Sequence, residues 1–421
     1  MVKIGLIGLG TVGSGIVSVL QENSGHIKEK TGIAIEIAKI ADTDLSRCKA
    51  ASIDPSLMTK DAYDLINDPS ISVIVEAIGG EIPALKFAQD TLKAGKHFVT
   101  TNKELIAKHG QELLSLAREK GLWVLFEGSV GGGIPIMSQL RSSLASNKIE
   151  EIFGIVNGTT NYILTKMTEE EMEFGDALKL AQANGFAESD PKNDIDGFDA
   201  SYKAAILASC AFDANIKWEN VYFEGIRKIS LEDIKFAKEM GYTIKLLAVV
   251  KKDKSSIEVR VHPTLISAAH PLASVKDAFN AIYVKGSAVG QVMFYGKGAG
   301  SLPTASAAVS DVIEIASAGS APYYPLLKNH DIKSIDDVES RYYIRLKTAD
   351  KAGVLAAIAG AFGDNDVSIQ SALQKGTVDN IATIVIITHN VRGRNFSEAM
   401  KKISGLPAII EIASVIRVGM E

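Results

Sequence analysis

Apolar positions in the first third of the chain come in short blocks: VKIGLIGLG, AIEIAKIAD, SVIVEAIGG, HFVTT and LWVLFEG. Each is rich in β-branched residues and has the length of a buried strand. The stretches between them follow helical spacing and stop at glycine, as in ALKFAQDTLKAG and QELLSLAREKG. Strand-helix alternation of this kind predicts an α/β domain with a parallel, doubly wound sheet over residues 1–130. From residue 131 the pattern changes. Helical DALKLAQANG and SYKAAILASCAF mix with strand-like IKLLAVVKKD, SIEVRVHP and AIYVKGS, which predicts an α+β domain over 131–320. Its helix over 304–318 is a candidate to return to the first domain. APYYPLLKNHDIKS falls in a linker, 321–340. Residues 341–421 then read strand, helix, strand, strand, helix, strand, the ferredoxin-like split order.

Composition narrows the class. Apolar residues are 46% and charged residues 23% of 421, as in soluble globular proteins. A net charge of −5 gives no support to a nucleic-acid or membrane-surface role. Two distant cysteines, Cys48 and Cys210, suit a reducing compartment and no disulfide framework. MVKIGLIGLG enters a strand without a basic leader, so no targeting peptide is expected, and a cytoplasmic location follows.

Gly8-Leu9-Gly10-Thr11-Val12-Gly13 ends the first strand and opens a helix. Gly8 permits the turn, Gly10 lets backbone approach a pyrophosphate, and Gly13 lets helix and strand pack closely. The helix N-terminus then offers N–H groups to phosphates. Asp42, at the end of the second strand, can accept from both ribose hydroxyls of NAD and repel the 2′-phosphate of NADP. It lies 29 positions after Gly13, and the insertion ENSGHIKEKTG accounts for the excess. Lys39 and Arg47 could still hold a phosphate, so the lean toward NAD over NADP is mild.

The densest charge lies in GFAESDPKNDIDGFDASYK, residues 185–203. A calcium loop fails there, because alignment on Gly197 puts Lys192 and Lys203 at ligand positions. A solvated, capped loop remains open. So does a substrate site: Asp199 and Lys203 are four apart on a predicted helix that is otherwise apolar, which carries the lysine inward. A lysine so placed can exchange a proton at a substrate oxygen, and acids left over can hold an ammonium group.

Six motifs in order resemble the homoserine dehydrogenase family over nearly the whole chain. They are GLGTVGSG (8–15), VTTNKELIA (99–107), EGSVGGGIPI (127–136), NGTTNYIL (157–164), the 185–203 segment, and YGKGAGSLPTASAAVSD (295–311). The resemblance implies reversible reduction of L-aspartate 4-semialdehyde to L-homoserine with NAD(P)H, in threonine, methionine and isoleucine biosynthesis. Lys203 then corresponds to the proton donor and acceptor. Asp199 and Glu188 correspond to the acids on the substrate amino group and hydroxyl, with Asp194 a further acid. Lys103 corresponds to a lysine near the nicotinamide that stabilises developing alkoxide. Thr11, Val12, Gly185 and Gly300 correspond to cofactor contacts. Glu127, with the carbonyls of Val130, Gly132 and Ile134, corresponds to a sodium site. Some relatives carry arginine where this chain has Ala41-Asp42, which leaves NAD against NADP open.

Asp350-Lys351-Ala352-Gly353-Val354-Leu355 resembles the effector loop of ACT-type regulatory domains. Threonine is the implied effector, bound near Asp350, Gly353 and Val354, and a homodimer or homotetramer is implied; a ligand-free dimerisation module is the alternative. His262-Pro263 and His270-Pro271 suit loops, and Cys210 suits a core position. GKGAG lacks the GK[ST] of a phosphate-transfer loop. The rival functions are another amino-acid dehydrogenase and a non-catalytic sensor; Lys203 and Lys103 argue against the sensor. A fused kinase is not expected.

Overall fold

The computed structural model describes residues 1–50, 52–253, 256–318, 323–325, 327–378 and 380–420. Part of the expected linker, residues 321, 322 and 326, lies outside them. The first strands are β1 (Val2–Ile7), β2 (Ile35–Ala41), β3 (Met58–Thr59), β4 (Val73–Glu76), β5 (His97–Thr100) and β6 (Val124–Leu125). They form a parallel sheet in the order β3-β2-β1-β4-β5-β6. The order reverses between β1 and β4, where α/β sheets bind ligands at the carboxyl ends of strands. Helices α1 (Thr11–Thr31), α2 (Ala84–Lys93) and α3 (Lys103–Lys120) connect the strands. Gly121 closes α3 with φ of 66°, as its glycine stop predicted, and Gly32 closes α1 in the same way at φ 73°.

Further along come β7 (Ile149–Ile155), α4 (Gly158–Glu169), α5 (Phe174–Ala183), α6 (Phe198–Phe212), β8 (Tyr222–Phe223), α7 (Leu231–Glu239), β9 (Tyr242–Lys252) and β10 (Ser256–Ser267). They are followed by β11 (Phe279–Gly286), β12 (Gly290–Lys297), α8 (Ser301–Ser317) and β13 (Asp331–Ile332). The C-terminal elements are β14 (Glu339–Ala349), α9 (Val354–Gly363), β15 (Ile369–Val378), β16 (Ile381–Thr388), β17 (Val391–Arg392), α10 (Gly393–Ser404) and β18 (Ile409–Gly419).

Two compact units are assembled from non-contiguous stretches. The first comprises Met1–Val156, Tyr202–Val221 and Phe279–His330. Its core joins Ile4, Leu6 and Ile16 to Ala305, Val309 and Val312, so α8 packs on the dinucleotide sheet beside α1. An antiparallel ladder of β7, β11 and β12 completes it.

The second unit comprises Asn157–Ser201, Tyr222–Ala278 and Asp331–Glu421. Its C-terminal part has strand order β18-β14-β16-β15 with α9 and α10 packed through Ile358, Phe362, Phe396 and Ile403, the ferredoxin-like arrangement. That sheet is continuous with the β9–β10 hairpin, because β18 pairs in parallel with β10 at Thr264–Ile266. The same edge of β10 also carries β13 at Ser256–Ile257 and β8 at Arg260–Val261. His262-Pro263, expected in a loop, lies inside β10 with His262 buried. Backbone groups two apart face the same edge, so Pro263 falls in the gap between β8 and β18, where its missing donor costs nothing.

Candidate active site

The glycine loop closes on itself as its sequence requires. Gly8 holds φ of 97°, and a Cβ on Gly13 would stand 2.0 Å from the Gly8 carbonyl oxygen. Gly10 is the N-cap of α1 and contributes no side-chain cap, so the first-turn N–H groups are presented bare. Gly300 caps α8 at φ 119°, and the next residue, Ser301, donates its hydroxyl to the Thr11 carbonyl at 2.7 Å. Val12 follows in the first turn of α1. These residues fit a dinucleotide. Asp42 is more occupied than expected. Its carboxylate accepts from the Leu9 N–H at 2.7 Å and the Asp44 N–H at 2.8 Å, and pairs with Arg47 at 3.2 Å. That guanidinium tempers the lean toward NAD, since it offsets the charge that would repel a 2′-phosphate.

A second carboxylate, unforeseen in the sequence, organises the ends of β4 and β5. Glu76 is fully buried. It accepts from the N–H groups of Ile78 at 2.7 Å and Gly79 at 3.1 Å, and from the Thr100 hydroxyl at 2.5 Å. Thr100 accepts in turn from the Asn102 N–H, while the Asn102 amide donates to the Gly80 carbonyl at 2.6 Å. Asn102 also caps α3 by accepting from Leu105, which sets Lys103, exposed, at the first helical position. Burial raises the Glu76 carboxyl above the ordinary range, and its hydrogen bonds oppose this only in part. An acid inside the apolar run VIVEAIGG was the signal.

Glu127 is buried and accepts from the N–H groups of Met137 at 2.8 Å and Ser138 at 2.7 Å, at the start of the short helix Met137–Arg141. Its own N–H donates to Asp311 of α8 at 2.9 Å. Burial holds the Asp311 carboxyl well above its usual value. Val130, Gly132 and Ile134 follow on buried backbone, and the Ile134 carbonyl accepts from Ile136. Each of these engaged oxygens keeps a lone pair. An all-oxygen donor set of one carboxylate and carbonyls fits a hard cation of low charge. Among the described residues there is no cluster of three His, Cys, Asp or Glu suited to a metal.

In the second unit the acidic segment is gathered by one amide. Asn157, the N-cap of α4, donates from its side chain to Asp194 at 2.7 Å and Asp199 at 2.8 Å. Asp199 is buried, which excludes the solvated-loop reading for that position. Glu188 and Gly185 lie on the exposed turn after α5, and the Glu188 carbonyl accepts from Gln182. In the first unit, Lys203 is buried on α6, the helix that begins with Asp199's turn, and its ammonium donates to the Val156 carbonyl at 2.7 Å. Asn157 and Val156 carried no assignment from sequence; NG before a helical run was the cap signal. In the C-terminal domain, Asp350 donates its N–H to Asn380 and accepts from Gln374 at 3.3 Å. Gly353 caps α9 at φ 88° ahead of Val354. Burial pushes the Cys210 thiol up to about 12, unsuited to a nucleophile.

Family models match in three places: "Homoserine dehydrogenase, NAD binding domain" over residues 8–127, "Homoserine dehydrogenase" over 135–313, and "ACT domain" over 342–408. A homoserine dehydrogenase of Synechocystis sp. is 44% identical over 431 residues, covering 99% of each chain. The crystal structure of a homoserine dehydrogenase from Thiobacillus denitrificans superposes with a TM-score of 0.95 at 39% identity, over 100% of this chain and 98% of that one. A hyperthermophilic archaeal homoserine dehydrogenase in complex with NADPH gives 0.64 at 28% identity, over 76% and 99%.

Proposed function

The chain belongs to the homoserine dehydrogenase family, and on that footing we propose that it reduces L-aspartate 4-semialdehyde to L-homoserine, reversibly, with NAD(P)H. The bound nicotinamide supplies or takes the hydride. In this reading Lys203 moves the proton: its ammonium donates to the substrate oxygen during reduction and its amine takes the proton back during oxidation. The observation that carries the reading is the burial of that lysine, on the same helix as the buried Asp199 and with its ammonium donating to the Val156 carbonyl. Asp194 and Asp199, held by Asn157, and Glu188 bind the substrate ammonium and hydroxyl. Lys103, set by the Asn102 cap, stabilises developing alkoxide. The glycine loop, with Gly300, Gly185 and Asp42, holds the cofactor, and Glu127 with the carbonyls of Val130, Gly132 and Ile134 holds sodium.

Both NAD and NADP are accepted in this reading, because Arg47 shares the Asp42 carboxylate. The NADPH bound by the archaeal relative supports the phosphorylated form. The ACT domain takes threonine near Asp350, Gly353 and Val354 and feeds back on activity, within a homodimer or homotetramer in the cytoplasm. No helix among the described residues is long and apolar enough to cross a membrane. The test is homoserine-dependent reduction of each cofactor, with and without threonine. Lys203→Ala should lower kcat by roughly 10²–10⁴-fold with homoserine KM little changed. Near-normal turnover in that variant would remove the lysine from the chemistry.

A further inference from the structure

Within the second unit, the C-terminal strand reaches the acidic segment in two steps. Strands β8 and β18 follow one another along the same edge of β10, at Arg260–Val261 and Thr264–Ile266. Their ends therefore meet. There Arg417 of β18 pairs with the Glu224 carboxylate, which also accepts from the Tyr222 hydroxyl. The Arg417 guanidinium stands 5.0 Å over the Tyr222 ring and 5.6 Å over Tyr342, with its side chain 12% exposed. Charge pairing, stacking and burial together make this a fixed joint and not a surface contact.

The residues after Glu224 grip the substrate loop. A Cβ on Gly225 would stand 2.0 Å from the Ile195 carbonyl oxygen and 2.5 Å from the Asp196 Cα. The Ile226 N–H donates to that carbonyl at 2.8 Å, and Arg227 pairs with the Asp196 carboxylate. A Cβ on Gly197, at φ 92°, would stand 3.1 Å from the Glu224 carbonyl oxygen. Asp194 and Asp199 flank this clamp.

We propose that Arg417 and Glu224 are positioning residues for the substrate acids, so that the last strand of the ACT domain is part of the amino-acid site. The proposal rests on the reading that Asp194 and Asp199 bind the substrate ammonium. Gly225 is the contact through which the Arg417–Glu224 joint sets the backbone at Ile195 and Asp196. A truncation before β14 consequently removes part of the substrate site along with the effector loop, and its threonine response would not isolate regulation.

The experiment uses the full chain and reads homoserine KM, cofactor KM, kcat and Tm. Arg417→Met should raise homoserine KM by about threefold to thirtyfold, with cofactor KM unchanged and Arg417→Lys restoring most of the loss. Combining it with Glu224→Gln should add nothing to the worse single change. Gly225→Ala should act in the same direction. Glu224→Gln keeps shape and carries the expectation alone if Arg417→Met does not fold. The proposal falls if homoserine KM stays within about twofold in these variants while Asp199→Asn raises it. It falls also if both KM values rise together, which marks a general loss of structure. Should Asp199→Asn and Asp194→Asn leave homoserine KM unchanged, the substrate assignment itself fails, a result distinct from failure of the joint.

Discussion

Acids in the two compact units are held by different kinds of partner. In the first, Glu76, Glu127 and Asp42 accept mainly from backbone N–H groups: Ile78 and Gly79, Met137 and Ser138, Leu9 and Asp44. In the second, Asp194 and Asp199 share the Asn157 side chain, and Asp233 takes Arg345 and Tyr343. Asp196 takes Arg227, and Glu224 takes Arg417. A backbone donor cannot be mutated away, so acids of the first kind define fixed loops. Acids of the second kind rely on side chains distant in sequence. The half proposed to bind substrate is therefore the half whose acids a change at a distant side chain can reach, whereas strand-end amides are fixed by the local backbone.

The largest break of this contrast should come at Arg345, 4% exposed and bonded to Asp233, whose side chain is 0% exposed. Arg345→Met leaves that carboxylate buried without its guanidinium, and should cost about 3–5 kcal/mol in urea unfolding. A loss under about 1 kcal/mol would mean the joint between α7 and β14 is not held by charge. Next comes Asn157→Ala. One amide serves two carboxylates, so homoserine KM should rise by roughly 10- to 100-fold, with cofactor KM steady. An unchanged KM would show that the acids keep their places without it.

Glu76→Gln tests the backbone-held kind by pH. Burial raises the folded carboxyl's pKa above its unfolded value. The folded state thus binds that proton more tightly, and the stability so gained is full below the unfolded pKa, near 4.3. It is lost as pH rises through the folded pKa. Glutamine carries no such proton. The Tm of the native chain minus that of Glu76→Gln should fall as pH goes from about 4 to 8; a flat difference would mean the amides fully offset burial. The smallest effect belongs to Arg47, whose side chain is 49% exposed. Arg47→Ala should raise KM for NADP about threefold to tenfold and leave KM for NAD unchanged. Equal changes for both cofactors would take Arg47 off the 2′-phosphate.

Much of the first unit is local in origin. The glycine loop and the helix stop at Gly121 each involve residues a few positions apart, so pattern and turn chemistry suffice to place them. His262-Pro263 misled because proline is tolerated at a gap in a strand edge, and the gap exists only once β8 and β18 have docked. Asp42 lies one residue past the end of β2, close to where it was expected, but Arg47, five positions on, folds back and shares its charge. Glu188 remained an exposed acid whose neighbours did not identify it.

Six motifs carried the resemblance to the family, and by itself the chain's order of apolar blocks, glycines and caps determined the elements, the dinucleotide sheet and the ferredoxin-like unit. These follow from short-range sterics and periodic burial, which any window of sequence carries. Only the tertiary structure decided which acids share Asn157 and that β18 runs on from β8 along β10. Those contacts join residues up to about two hundred positions apart. Nothing in a local window records a partner so distant, because the chain meets it only after both strands have found the same edge.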